Sequence, residues 1–188
     1  MKLGCIVMAS GLSQRFGANK LTAPFRGRPL LSWTLDALPR TELDRILVVT
    51  RSPEVDALCR PAGFPCLLHD KPHLSDTIRL GVSAMEGMDG CLFTVGDQPL
   101  CQRESLLRLL SGFRSAPARP ARLAWQGRPG NPVLFPASFF PALAALEGER
   151  GGTCLLPPET MLVPACHPWE LEDADTPEAL ARLESLVP

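Results

Sequence analysis

The sequence predicts an α/β protein with a mostly parallel central sheet. Short, continuously apolar runs alternate with helix-length amphipathic stretches through Ser115. The runs are rich in Val, Ile, Leu and Cys, as strands buried on both faces are. Composition agrees: 188 residues, 45% hydrophobic and 21% charged, suit one sizeable core and argue against disorder.

The expected strands are Leu3–Met8, Arg45–Thr50, Cys66–His69 and Cys91–Val95. Between them lie amphipathic segments expected as helices at Leu30–Leu38, Pro53–Cys59, Asp76–Glu86 and Arg103–Phe113. Ser52 precedes Pro53, so a capping hydroxyl is followed by the residue best tolerated at a first helical position. This β-α-β-α order implies right-handed crossovers and a layered domain. The pattern changes after Ser115. Residues 116–122, with two prolines and two arginines, read as an irregular link. Beyond it come expected strands at Leu123–Trp125, Pro132–Phe135 and Met161–Pro164, a helix near Ser138–Leu146, and a closing helix over Thr176–Leu186 capped by Thr176. Twenty prolines and fifteen glycines serve mostly as punctuation. The expected organisation is one domain over residues 1–188, with a first part of about 1–115 and an elaborated part of about 116–188.

Charge and composition narrow the function. With 19 basic and 20 acidic residues the formal net charge is -1, so no broad basic field exists for binding nucleic acid. Any anion must be held by a few placed groups. The apolar stretch from Leu3 to Ala9 is too short to span a bilayer and lacks the order of a signal peptide, so a cytoplasmic protein without membrane attachment is expected. The seven cysteines contain no Cys-x-x-Cys pair, and Cys5 and Cys91 lie inside apolar runs. They read as small buried hydrophobes in a reducing compartment. The three histidines show no zinc-ligand spacing.

Ligands of open α/β sheets bind beyond the carboxyl ends of the strands. The first such end is VMASGLSQRFGANK, Val7 to Lys20. Small residues Ala9, Ser10 and Gly11 let backbone N–H groups approach a ligand, and Arg15 and Lys20 add cationic reach suited to a triphosphate. This is neither a Walker A loop nor a G-x-G-x-x-G fingerprint. By itself it reads equally as a phosphate loop or an ordinary turn. The second end is Val95-Gly96-Asp97-Gln98-Pro99, where a carboxylate past a buried strand suits Mg²⁺ and a plain turn is the alternative. The third acidic place is Glu172-Asp173-Ala174-Asp175. There Asp175 is a candidate to complete a metal site and Asp173 a further one, against simple acid enrichment at a helix start. Ser75 and Thr77 place hydroxyls at a helix start, where one is expected to cap. Gly127-Arg128-Pro129-Gly130-Asn131-Pro132 reads as a loop in which Asn131 is a candidate ligand contact. Trp33 and Trp125 read as packing residues.

Taken jointly, the segments VMASGLSQRFGANKL, HLSDTIRLGV, TVGDQPL, GRPGNPVLFP and DADTPEAL resemble the nucleotidyltransferases that attach a nucleotide to molybdenum cofactor. They occur in that family's order from Cys5 to Leu180. The resemblance implies a Rossmann-like, three-layer fold of the nucleotide-diphospho-sugar transferase (GT-A-like) kind, and a magnesium-dependent site. It implies that Ala9, Ser10 and Gly11 line the base and phosphate pocket, that Arg15 and Lys20 hold the triphosphate, and that Asp97 binds Mg²⁺ with Asp175 as helper. Lys20, Arg15 and Asp97 would be the catalytic groups. Ser75 and Thr77 would border the nucleotide, and Asn131 would lie on the acceptor side. Cytidine-using relatives read Ala-Ala-Gly and guanosine-using ones Gly-Gly; Ala9-Ser10-Gly11 is closer to the former, so CTP is the expected donor. The expected acceptor is a molybdopterin-type cofactor, and a molybdoenzyme or its maturation chaperone would receive the product. A nucleotidyltransferase acting on a sugar- or polyol-phosphate and a non-catalytic cofactor carrier are the rival readings.

Overall fold

The computed structural model describes residues 1–11, 16 and 19–186. In chain order its strands are β1 (Leu3–Ala9), β2 (Pro24–Phe25), β3 (Arg28–Pro29), β4 (Arg45–Thr50), β5 (Cys66–Leu68), β6 (Gly90–Val95), β7 (Ala121–Trp125), β8 (Arg128–Pro136) and β9 (Met161–Pro164). The α-helices are α1 (Leu30–Ala37), α2 (Pro53–Cys59), α3 (Leu74–Ser83), α4 (Arg103–Ser115), α5 (Phe140–Ala144) and α6 (Pro177–Leu186).

One seven-stranded sheet has the order β5-β4-β1-β6-β8-β7-β9. The pairs β5/β4, β4/β1, β1/β6 and β7/β9 are parallel, and β8 is antiparallel to both its neighbours. The sheet thus runs through both the N-terminal part and the residues after Ser115. Its central strands are buried on both faces, and β1 shows why. Leu3, Cys5, Val7 and Ala9 point into a core built with α1, α2, α4 and α6. Ile6 points to the other side, where Ile78 and Val82 of α3 and Leu143 of α5 cover it. The alternation of a strand therefore feeds two apolar layers at once. Gly81 of α3 is where that helix meets the sheet, since a Cβ there would sit 2.9 Å from Ile6.

Local signals act largely as expected. Ser52 Oγ accepts from the Val55 N–H, and Thr176 Oγ1 accepts from the Ala179 N–H. Cys5, Cys59, Cys91 and Cys101 are buried and every described cysteine is free. Trp33 packs edge-on against Phe25 with ring centroids 5.9 Å apart.

Three expectations are corrected. Residues 128–132 are not a loop: they begin β8, and the turn is confined to Gln126 and Gly127. Both carry positive φ (47° and 82°), the geometry of a two-residue hairpin whose twist matches its strands. Prolines are tolerated because this stretch pairs irregularly, with a register shift opposite Arg122 and Ala124. Neither Ser75 nor Thr77 caps α3. The helix begins earlier, at Leu74; the His73 N–H donates to Asp76 Oδ2 at 3.2 Å, and both hydroxyl residues are buried inside the first turn. The link is shorter than 116–122, because β7 starts at Ala121.

Candidate active site

Four parallel strands deliver one side chain each at their carboxyl ends. Ser10 follows β1, Arg51 follows β4, His69 follows β5, and Asp97 lies two residues beyond β6. Ser10, Arg51 and Asp97 line a cleft of about 680 Å³, a volume typical of small-ligand sites, and His69 stands behind it against Ser10 and Thr77. Ser10, Gly11, Lys20, Arg51, Thr77, Asp97 and Asp175 are among its lining residues.

At one end the arrangement is ionic. Lys20 is 9% exposed, and its Nζ lies 2.5 Å from Asp97 Oδ2 and 2.8 Å from Asp175 Oδ1. Burial would lower the pKa of this ammonium, but Asp97 and Asp175 together outweigh it and raise the value. Lys20 is therefore charged at all physiological pH. Among the described residues, one cation between two carboxylates leaves the cluster with net negative charge. Asp173 adds to it. Packing of the chain around it and then the Asp97 and Asp175 carboxylates push its pKa up to about 6.

Asp97 is placed by contacts from distant parts of the chain. Gly96 has no room for a side chain, since a Cβ would stand 3.0 Å from Leu31 and 3.3 Å from Leu21. The buried Thr34 hydroxyl of α1 faces the Gly96 and Gln98 carbonyls at 3.2 and 3.3 Å. The Ala174 N–H donates to the Asp97 carbonyl at 2.9 Å, which lays the 173–175 segment beside the turn. Gln98 Nε2 donates to the Leu171 carbonyl, tying the same two segments a second time.

At the other end the groups are neutral or turned to backbone. His69 Nε2 lies 3.0 Å from Ser10 Oγ and 3.2 Å from Thr77 Oγ1. Burial, followed by the Arg51 cation, lowers the His69 pKa. Arg51 spends Nε on the Ser10 carbonyl and Nη1 on the Lys71 and Pro72 carbonyls. Across the rim, His73 Nδ1 and Glu149 Oε1 are 3.1 Å apart.

The expected residues thus divide. Ser10, Gly11, Lys20, Thr77, Asp97 and Asp175 share the cleft. Ala9 packs its side chain in the core while its carbonyl accepts from Thr50 Oγ1, and Ser75 is buried with its N–H on the Gly148 carbonyl. Asn131 borders a neighbouring cavity of about 200 Å³ with Phe93, Phe135 and Thr153. Arg15 lies outside the described residues. Arg51 and His69 were missed: an arginine and a histidine just past apolar runs are common surface residues, and strand ends supply the only signal for them.

Residues 5–162 match the model of the MobA-like NTP transferase domain. The chain belongs to that family. By family it is a nucleotidyltransferase. It is 28% identical to the purine catabolism protein PucB of Bacillus subtilis, over 92% of this chain and 91% of that one. It is 33% identical to a probable molybdenum cofactor guanylyltransferase of Pyrococcus horikoshii, over 80% of this chain and 76% of that one. Among solved structures, Rv0371c of Mycobacterium tuberculosis in complex with manganese superposes with a TM-score of 0.79 at 22% identity, with all of both chains covered. The fold is that of the nucleotide-diphospho-sugar transferases. Among the described residues no helix is long and apolar enough to cross a membrane.

Proposed function

We propose that this nucleotidyltransferase moves a nucleoside monophosphate, CMP from CTP, onto the phosphate of a molybdopterin-type cofactor and releases pyrophosphate. The observation that carries the phosphoryl-transfer reading is Lys20 held between Asp97 and Asp175 beside the small-residue turn at Ser10 and Gly11. The choice of cofactor as acceptor rests on the five sequence segments and on the name of the archaeal relative. CTP is favoured because Ala9-Ser10 lacks the glycine pair of guanosine users; GMP transfer is the second reading, favoured by that relative's name.

In the proposed reaction an acceptor phosphate oxygen attacks the α-phosphorus in line. The new P–O bond forms as the bond to the β-phosphate oxygen breaks, and pyrophosphate leaves with the electron pair. No protein nucleophile is required, since the acceptor oxygen is anionic near neutral pH. Lys20 neutralises charge that builds on the phosphates, and Arg15 is assigned the same task. Orientation and charge stabilisation supply the rate.

The donor set fits a divalent cation. Asp97 and Asp175 are hard oxygen donors, and Mg²⁺ takes one or two carboxylates while keeping water and phosphate oxygens in its shell. Their convergence on one cation, Lys20, supports the reading that a metal and Lys20 would compete for both. When bound, Mg²⁺ would supply charge neutralisation on the triphosphate. Residues about 1–115 are assigned the nucleotide and about 116–188 the acceptor, through Asn131 and the smaller cavity. A cytoplasmic site of action and hand-over to a molybdoenzyme or its chaperone belong to the same reading.

The test is pyrophosphate release with CTP, GTP and ATP, each with and without molybdopterin. Release that needs molybdopterin and is fastest with CTP is expected. Turnover only with a sugar- or polyol-phosphate would replace the acceptor, and none with any acceptor would leave a carrier.

A further inference from the structure

One ring organises the end of the cleft away from Lys20. The Lys71 N–H donates to His69 Nδ1 at 3.2 Å, so the neutral ring carries its proton on Nε2. That Nε2–H faces the Ser10 and Thr77 hydroxyl oxygens at 3.0 and 3.2 Å. The Ser10 hydroxyl donates to the Val49 carbonyl at 3.1 Å, leaving its oxygen to accept from the ring. Each proton in this chain therefore has one direction. Ser10 Oγ retains a lone pair and Thr77 Oγ1 retains its proton for an occupant of the cleft that both residues line. Arg51 holds the surrounding backbone, bonding the Ser10 carbonyl and the carbonyls of Lys71 and Pro72.

Position indicates what that occupant is. In the order β5-β4-β1-β6 neighbouring strands lie about 4.8 Å apart, so the ends of β5 and β6 are separated by about 14 Å. A nucleotide with its phosphates at Lys20 and Asp97 reaches its base across that span. We infer that His69 is a positioning residue for the nucleobase, fixing Ser10 and Thr77 as one acceptor and one donor and thereby setting base selectivity. This rests on the nucleotidyltransfer reading above. Cytosine offers such a pair in its 4-amino group and N3, and adenine in its 6-amino group and N1, whereas guanine reverses it with O6 and N1–H, so the discrimination expected is against GTP. Thr77 is 1% exposed, so a base without an acceptor at this position leaves the buried O–H without one, the expensive case in recognition.

The experiment titrates the full chain and its His69→Phe, His69→Gln and Thr77→Val variants with Mg²⁺ complexes of CTP, GTP and ATP by calorimetry, and measures pyrophosphate release at saturation. A wild-type chain that binds none of the three fails the nucleotidyltransfer reading itself; one that binds all equally fails only this inference. Given a wild-type preference, His69→Phe is expected to reduce it by about tenfold, the loss of one good hydrogen bond, while kcat at saturation changes less than about threefold. His69→Gln, whose amide nitrogen can replace Nε2–H, should restore part of the preference. An unchanged ratio in a folded His69→Phe overturns the inference, as does an equal loss for all three nucleotides that Gln leaves unrescued. Should His69→Phe not fold, Thr77→Val removes the donor without touching the ring, and an unchanged ratio there is equally fatal.

Discussion

The two ends of the main cleft are built on opposite principles. At one, Lys20, Asp97, Asp175 and Asp173 gather charge from β6, the loop after β1 and the segment before α6. At the other, a neutral His69 directs two hydroxyls, and Arg51 spends named donors on backbone carbonyls. Charges act over several ångströms and tolerate imprecise placement. Hydrogen bonds lose their worth within a few tenths of an ångström, so the neutral end needs a scaffold. On the proposed reading, phosphate holding and base choice can change independently, so substitutions at one end should leave the signature of the other intact.

The largest expected effect is at the charged end. Asp97→Ala should cut pyrophosphate release by roughly 10²–10³-fold or more, to near background, with the far-ultraviolet circular dichroism unchanged. Near-normal turnover by the folded variant would remove Asp97 from the proposed metal site. Lys20→Ala comes next: kcat/KM should fall by the equivalent of about 2–4 kcal/mol, with base preference retained. If steady-state kinetics show no loss, Lys20 is a structural cation only.

Lys20→Met sharpens the comparison by exposing what the ammonium does at rest. Without it, Asp97 and Asp175 lose the cation they share, so the melting temperature should fall in metal-free buffer. Added Mg²⁺ should then raise it more than in the wild type, and equal Mg²⁺ shifts would show that the carboxylates do not share an ion. Thr34→Val tests the support beneath Asp97. Loss of the buried hydroxyl leaves the Gly96 and Gln98 carbonyls a donor short, at a cost of about 1–2 kcal/mol in chemical denaturation. Unaltered stability would mean that the turn is held by its other contacts.

The smallest effect concerns pH at the neutral end. His69 has a lowered pKa in the fold, so as pH drops below the ordinary histidine value of about 6.5 the unfolded chain takes up its proton first. Stability is therefore full above that value and declines below it until the lowered folded pKa is passed. His69→Gln should flatten this slope in melting temperatures measured between about pH 7.5 and 5, and an identical slope would place the titration elsewhere.

The β-α-β-α core was readable from the chain because burial on both sheet faces demands continuous apolar runs, and β1, β4, β5 and β6 supply them. Caps at Ser52 and Thr176 were readable because they act within three residues. Lys20, Asp97 and Asp175 were nameable individually, for a charged residue past a buried strand is conspicuous. The β8 hairpin misled: Gly127 to Pro132 has the composition of a loop, yet pairing with β7 and the Gln126–Gly127 turn override it. That Ser75 and Thr77 lie inside α3 followed from Asp76 serving the His73 N–H, a bond the hydroxyl pattern concealed.

By itself, the sequence determined the strand and helix periods, the buried character of most cysteines, and which acids and cations lie at strand ends. Only the tertiary structure decided that Lys20 lies between Asp97 and Asp175, residues 77 and 155 positions away. It alone brought His69 to Ser10 and Thr77. The reason is physical: hydrophobic periodicity is a local property of the chain, whereas strand order and the packing of the 173–175 segment against the Asp97 turn arise from contacts between segments distant in sequence.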